Sequence, residues 1–132
     1  MNIVGIGTDI VETLRIARMI ERHGEIFLNR VYTPYEIDYC RQRKASTQHY
    51  AGRWAAKEAI LKTLGTGWSR GIRWRDIEIR NDLSGKPAVI LDGIGAEIAR
   101  RLGIDQVLIS ISHCRTHATA YALAVGRDPK NR

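Results

Sequence analysis

Long apolar runs are missing from this chain: nowhere do the roughly 18–20 consecutive apolar residues of a membrane-spanning helix occur. Met1 leads into Ile3 and Val4 without a basic stretch, so no signal peptide is expected and the protein is expected in the cytoplasm. Cysteine is scarce. Cys40 and Cys114 offer neither the number for a disulfide framework nor the spacing of a zinc site, and both are expected as free thiols. Aromatic residues are 7% of the sequence, and none sit in the aromatic-basic pattern of an RNA-binding sheet. Repeats and low-complexity segments are also absent, leaving a domain over 1–126 and a polar tail, 127–132, that is expected to fray. Acidic residues are the minority: 14 Asp plus Glu stand against 21 Lys plus Arg, a net charge of +7. That excess favours an anionic partner, whether nucleic acid, an acidic protein or a phosphorylated ligand, without choosing between them.

What is present is one domain's worth of chain, 132 residues with 44% hydrophobic content. Its most unusual stretch is Trp54-Ala-Ala-Lys-Glu-Ala-Ile-Leu-Lys62, inside a segment that opens near Gln48 and meets a helix stop at Gly65. At about 100° per residue, Glu58 and Lys62 fall together between Trp54 and Leu61 on one side and Ala51 and Ala55 on the other. Ala56, Ala59, Ile60 and Leu64 fill the opposite arc, so the helix has no broad polar face and is expected to be largely buried. Glu58 is then either half of a helical pair with Lys62 or a carboxylate holding a cation, with the lysine one turn on to hold a phosphate.

Asn2 to Ile10 reads as a strand with Ile3, Gly5 and Gly7 on one face, where the glycines admit a close neighbour, and Asp9 at its end as a cap or a second functional carboxylate. An amphipathic helix is expected from Leu14 to Val31, broken at Gly24, with Leu14, Ala17, Ile20, Phe27, Leu28 and Val31 inward. On its outer face Arg15, Arg18, Met19 and Arg22 form either a solvated basic surface or a dock for an acidic helix. Thr33, Pro34 and Glu36 signal a short helix towards Arg43, followed by a basic patch of Arg41, Arg43 and Lys44 that is either plain surface or a phosphate contact. Gly65 to Gly71 is a loop able to fold round an anion. Strands at 76–80 and 87–91 flank an Asp82-Leu83-Ser84-Gly85 turn. A helix over 93–102 with Ile94, Ile98 and Leu102 inward follows, then strands at 106–112 and 118–125. His113 and His117 share metal-like spacing but sit on a turn with no acid beside them, so a structural His or a strand-end His acting on phosphate or hydroxyl fits better than zinc. The plan is α+β, an antiparallel sheet packed against a long central helix.

Two carboxylates on rigid elements, a lysine, a glycine loop and a histidine suggest magnesium-assisted phosphoryl chemistry, since Mg²⁺ takes one or two carboxylates together with substrate phosphates. Ile3-Val-Gly-Ile-Gly-Thr-Asp9-Ile-Val, Gly52-Arg-Trp-Ala-Ala-Lys57-Glu58-Ala-Ile-Leu-Lys62, Leu64-Gly-Thr-Gly67, Gly85-Lys86-Pro87 and Ile109-Ser-Ile-Ser-His113 together resemble the small bacterial holo-acyl-carrier-protein synthases of the 4′-phosphopantetheinyl transferase superfamily. The resemblance spans nearly the whole chain, with Trp54 where the family more usually has Phe and Cys114 where a hydroxyl residue is commoner.

The resemblance implies transfer of the 4′-phosphopantetheine arm of coenzyme A to a serine of apo acyl carrier protein, releasing adenosine 3′,5′-bisphosphate. It implies Mg²⁺ held by Asp9 and Glu58, with Glu58 or a metal-held water taking the serine proton and Lys62 steadying the phosphate. Lys44, Lys62, Gly65, Gly67, Lys86, Pro87 and His113 would contact the coenzyme, and Arg15, Met19 and Arg22 would dock the carrier protein. A homotrimer with active sites between subunits, and neither nucleic acid nor membrane as partner, belong to the same expectation. Two readings compete with it. One is a small basic nucleic-acid-binding domain, and the other is a coenzyme A binding module without chemistry.

Overall fold

In order, the chain forms β1 (Asn2–Glu12), α1 (Thr13–Val31), α2 (Pro34–Arg41), α3 (Ser46–Leu64), a 3₁₀ turn at Trp74–Asp76, β2 (Ile77–Asn81), β3 (Pro87–Leu91), α4 (Gly93–Leu102), β4 (Ile104–His113) and β5 (His117–Gly126). The computed structural model describes residues 1–65 and 71–127. β1, β5 and β4 make an antiparallel sheet in that order, while β2 and β3 pair in a separate hairpin. The fold is therefore the α+β single domain expected, with its strands divided between two sheets.

Small residues let α3 lie close on the larger sheet. Ala118, Ala120, Ala122 and Ala124 of β5 are all buried beneath the helix. A Cβ on Gly7 would stand 2.0 Å from the Ala59 carbonyl oxygen and one on Gly5 would stand 2.6 Å from that of Thr63, so the two glycines are required by backbone contact. α3 is buried along most of its length and ends at Gly65 in the left-handed conformation (φ 71°), as the sequence signal indicates.

A buried ion pair ties the helices to the hairpin. The Lys57 Nζ donates to Glu36 Oε1 (2.7 Å) and to the carbonyls of Val31 (2.7 Å) and Trp74 (3.2 Å). Glu36 accepts in turn from the backbone N–H of Thr33 (2.8 Å) and of Ile79 (2.9 Å). The expected capping box at Thr33–Glu36 is thus the outer end of a network joining α1, α2, α3, the 3₁₀ turn and β2. Burial pulls the Lys57 ammonium below its ordinary range, and Glu36 opposes that pull.

Three expectations change. Leu14 is 55% exposed, and Ile16 is the apolar residue buried in the first half of α1. Gly24 (φ 51°, ψ −129°) breaks the helix, so one stripe drawn through both halves puts the first out of phase with Phe27, Leu28 and Val31. In α4, Ile94 and Leu102 are exposed while Gly95, Ile98 and Ala99 are buried, because the two small residues let the helix approach through a narrower face. Asp9 does not end its strand: β1 continues to Glu12 because β5 pairs with it down to His117. The side of the larger sheet away from α3 presents Ile6 (71% exposed), Ile10, Tyr121 and Leu108.

Candidate active site

Asp9 shares the Gly5–Gly7 face of β1, which is turned to α3, and stands opposite Ala120 of β5. Lys62, on the last turn of α3, reaches across to β1: its Nζ donates to the Thr8 carbonyl at 2.7 Å and lies 3.4 Å from Asp9 Oδ1. Lys62 thus makes an ion pair across elements, from α3 to β1. Glu58 is half-buried one turn before Lys62. No group of three or more His, Cys, Asp or Glu residues able to hold a metal occurs among the described residues, His113 and His117 included. Two carboxylates on the packed β1–α3 pair nevertheless suit an oxygen-seeking cation that completes its shell with substrate phosphates and water.

A second cationic cluster surrounds His113. Its Nδ1 lies 2.9 Å from Gln48 Oε1, and its ring packs edge-on against His49 at 4.9 Å. His49 meets Tyr39, whose ring also carries the guanidinium of Arg43 at 3.3 Å and that of Arg53 at 4.1 Å. Arg53 is buried, donates to Asn81 Oδ1 (2.5 Å), and leaves its Nε without a partner. Burial, then the neighbouring His113, Arg53 and Arg43, hold the His49 ring below its ordinary range. Lys44 is exposed just beyond Arg43, while Arg41 pairs with Glu25 and is surface.

The remaining coenzyme candidates lie on turns. Gly65 caps α3, Gly67 falls outside the described residues, and Lys86 is exposed in the β2–β3 turn beside Gly85 (φ 90°). That turn is held by Asp82 Oδ1, which accepts from the backbone N–H of Ser84 (2.9 Å) and of Lys86 (3.0 Å). Pro87 opens β3. On α1, Arg15, Arg18, Met19 and Arg22 line a groove of about 530 Å³ whose other wall includes Ile10 and His117. The Arg15 guanidinium lies 5.5 Å from the centre of the Trp54 ring.

A family model for the 4′-phosphopantetheinyl transferase superfamily matches residues 5–126. The chain belongs to this superfamily. Among its relatives, holo-acyl-carrier-protein synthases from Protochlamydia amoebophila and Rhodopirellula baltica are 49% and 48% identical over 120 and 123 residues. Those matches span 91% and 93% of this chain and 96% and 98% of the relatives. The crystal structure of the Neisseria meningitidis synthase superposes with a TM-score of 0.85 at 35% identity, covering 93% of this chain and 98% of that one. That of the Helicobacter pylori synthase in complex with coenzyme A gives 0.80 at 31% identity, covering 91% and 99%. The protein is thus a transferase of this superfamily, and among the described residues no helix is long and apolar enough to cross a membrane.

The Trp54-x-x-Lys57-Glu58-x-x-x-Lys62 stretch of α3 distributes its cations unequally. Lys57 is fully enclosed, whereas Lys62 is half-exposed beside Asp9. Sequence reading passes over Lys57, Arg53 and Glu36. The signal available for the two cations is their place on the otherwise apolar arcs of α3; Glu36 has only its capping-box role.

Proposed function

We propose that this chain transfers the 4′-phosphopantetheine arm of coenzyme A to a serine of apo acyl carrier protein in a magnesium-dependent reaction, releasing adenosine 3′,5′-bisphosphate. The carrying observation is the Gly-x-Gly-x-Asp face of β1 laid on α3, which sets Asp9 beside Lys62 one turn from Glu58 in a chain nearly half identical to holo-acyl-carrier-protein synthases. Asp9 and Glu58 would hold the cation, with the coenzyme's phosphates completing its ligands. When bound, the cation supplies Lewis-acid charge that offsets the negative charge gathering on the phosphoryl oxygens. Lys62 gives up its contacts on β1 to the same phosphate, a step its half-exposed position favours. Glu58 takes the serine proton, directly or through a water.

Lys44, His113 and their cationic neighbours suit the anionic adenosine end of coenzyme A, and the Lys86–Pro87 turn and the Gly65–Gly67 loop complete its contacts. The α1 groove, with Met19 between Arg15 and Arg22, takes the acidic carrier protein. The apolar outer sheet face around Ile6, Ile10 and Tyr121 is where further copies pack to form a homotrimer with its active sites between subunits. The work of such an enzyme is cytoplasmic.

The test is the intact mass of an apo acyl carrier protein after incubation with this enzyme and coenzyme A, with magnesium and then with a chelator. A gain of one phosphopantetheine arm only with magnesium is expected, and Asp9→Asn or Glu58→Gln should abolish it in a folded protein. Coenzyme A binding without any mass gain would replace the transferase by a binding module. Salt-sensitive binding to nucleic acid in place of both would favour the basic-domain reading.

A further inference from the structure

A cavity of about 990 Å³ has no part in the transfer as proposed. It lies between the end of α1, the start of α2, the 3₁₀ turn and β2. Four cations line it, Arg30 from α1, Arg73 and Arg75 around the 3₁₀ turn, and Arg80 from β2, together with the carboxylates of Asp76, Glu78 and Asp92 and with Trp74 on the wall. Two of these are engaged within the chain, Arg73 with the buried Asp76 (3.5 Å) and Arg80 with Glu78 (2.5 Å). Arg30 and Arg75 are exposed and form no ion pair with any described residue.

This is not the construction of a compact phosphate site, which needs ordered donors converging on one point. The Arg73 and Arg80 side chains are 80% and 51% exposed, and the cations stand on a rim around a wide groove. Such a rim suits a chain segment with several carboxylates, drawn in by the field and held by many weak contacts. Ring contacts link the groove to the α1 dock. Trp74 stacks on Trp54 with centroids 4.4 Å apart, and Trp54 also meets Phe27 (6.0 Å) and the Arg15 guanidinium (5.5 Å).

We infer that the carrier-protein dock continues from α1 over the Trp54–Trp74 stack into the Arg30–Arg75 groove, which receives a second acidic segment of the same partner. The inference rests on the transferase reading above. The partly buried Trp54–Trp74 stack links the two, meeting Arg15 of the α1 dock at Trp54 and lining the Arg30–Arg75 groove with Trp74.

The test compares Arg30→Glu combined with Arg75→Glu against the unmodified enzyme, measuring KM for carrier protein and for coenzyme A separately. KM for carrier protein should rise roughly tenfold with that for coenzyme A unchanged, and the difference should shrink at high salt. Arg30→Lys with Arg75→Lys should restore it. The exposed pair Arg100→Glu with Arg101→Glu, on α4, makes the same change in net charge and should leave both constants alone. Should the first pair lower the melting temperature, Arg30→Gln with Arg75→Gln carries the same comparison at smaller size. An unchanged carrier KM overturns the inference while leaving the transferase standing, as does an equal rise in the α4 control. A rise in KM for coenzyme A alone would assign the groove to that substrate and overturn it as well. No transfer by the unmodified enzyme would sink the transferase reading and this one with it.

Discussion

Lys57→Met gives the sharpest check on how the scaffold holds its site. The substitution keeps length and volume but removes the ammonium that Glu36 Oε1 and the carbonyls of Val31 and Trp74 share. Glu36, itself fully enclosed, keeps two backbone donors and loses its counter-charge. Breaking one side of a buried pair costs about 3–5 kcal/mol. For a chain of this size that corresponds to a fall of roughly 10–20 °C in melting temperature. Urea unfolding followed by tryptophan fluorescence at fixed protein concentration should show the midpoint falling by about 2 M with the slope unchanged. Adding Glu36→Gln should recover part of the loss, with a coupling of about 1–3 kcal/mol between the two positions. Because Lys57 is sealed from solvent, phosphopantetheine transfer per folded molecule should persist at a temperature where the variant is folded. A loss under about 1 kcal/mol, or strictly additive single and double variants, would refute the strut. Abolished transfer with normal stability would make Lys57 a catalytic group instead.

Lys62→Ala should behave in the opposite way: transfer should fall by roughly two to three orders of magnitude, since the residue faces the proposed phosphate. Its exposed pair with Asp9 is worth about 0–1 kcal/mol, so the unfolding midpoint should hardly move, and undiminished transfer would remove its role. Gly7→Ala should cost about 2–3 kcal/mol or more and suppress transfer together with stability, because its Cβ collides with the Ala59 carbonyl and lifts Asp9 from α3. Crystals of a fully active, unshifted variant would contradict that contact. His49 sets a pH slope: its folded pKa lies below the ordinary 6.5, so the unfolded chain binds more protons and stability falls as pH drops through about 6.5 towards the folded value. Melting temperatures across that window should fall less steeply for His49→Gln, and equal slopes would dismiss the effect.

The parts of the fold readable from sequence are those whose instructions are local. Thr33, Pro34 and Glu36 write their own helix start, and Gly65 and Gly103 end α3 and α4 in left-handed caps that need glycine. The alternation of β4 and β5 follows likewise from a single buried face. What could not be read depends on partners far along the chain. Lys57 looks like any helical lysine until Glu36, 21 residues away, is folded against it. The extension of β1 past Asp9 comes from pairing with residues more than a hundred positions later, and the phase of α1 turns on the angles of one glycine. The site divides the same way. Asp9, Glu58 and Lys62 are conspicuous as polar residues on apolar elements, whereas the Tyr39–His49–Arg53 cluster exists only through tertiary stacking.

The missing polar face of α3 follows from its position. One side of the helix meets β1 through Ala59 and Thr63, and another carries Lys57 into the network with α2 and β2. Trp54, Glu58 and Lys62 follow one another at single-turn intervals along the arc that remains. Trp54 touches the Arg15 guanidinium of α1, and Lys62 touches Asp9 of β1. On the proposed reading, one straight element therefore spaces the carrier-protein dock from the phosphate-handling groups by about two helical turns, roughly 12 Å. A helix with a solvated face could not do this, because positioning from both neighbours requires that both neighbours pack on it. The strain-free way to make such a helix is alanine at the contacts, with Arg53, Lys57 and Lys62 given partners on adjoining elements, and this composition is what obscures the helix's amphipathic signal in the sequence.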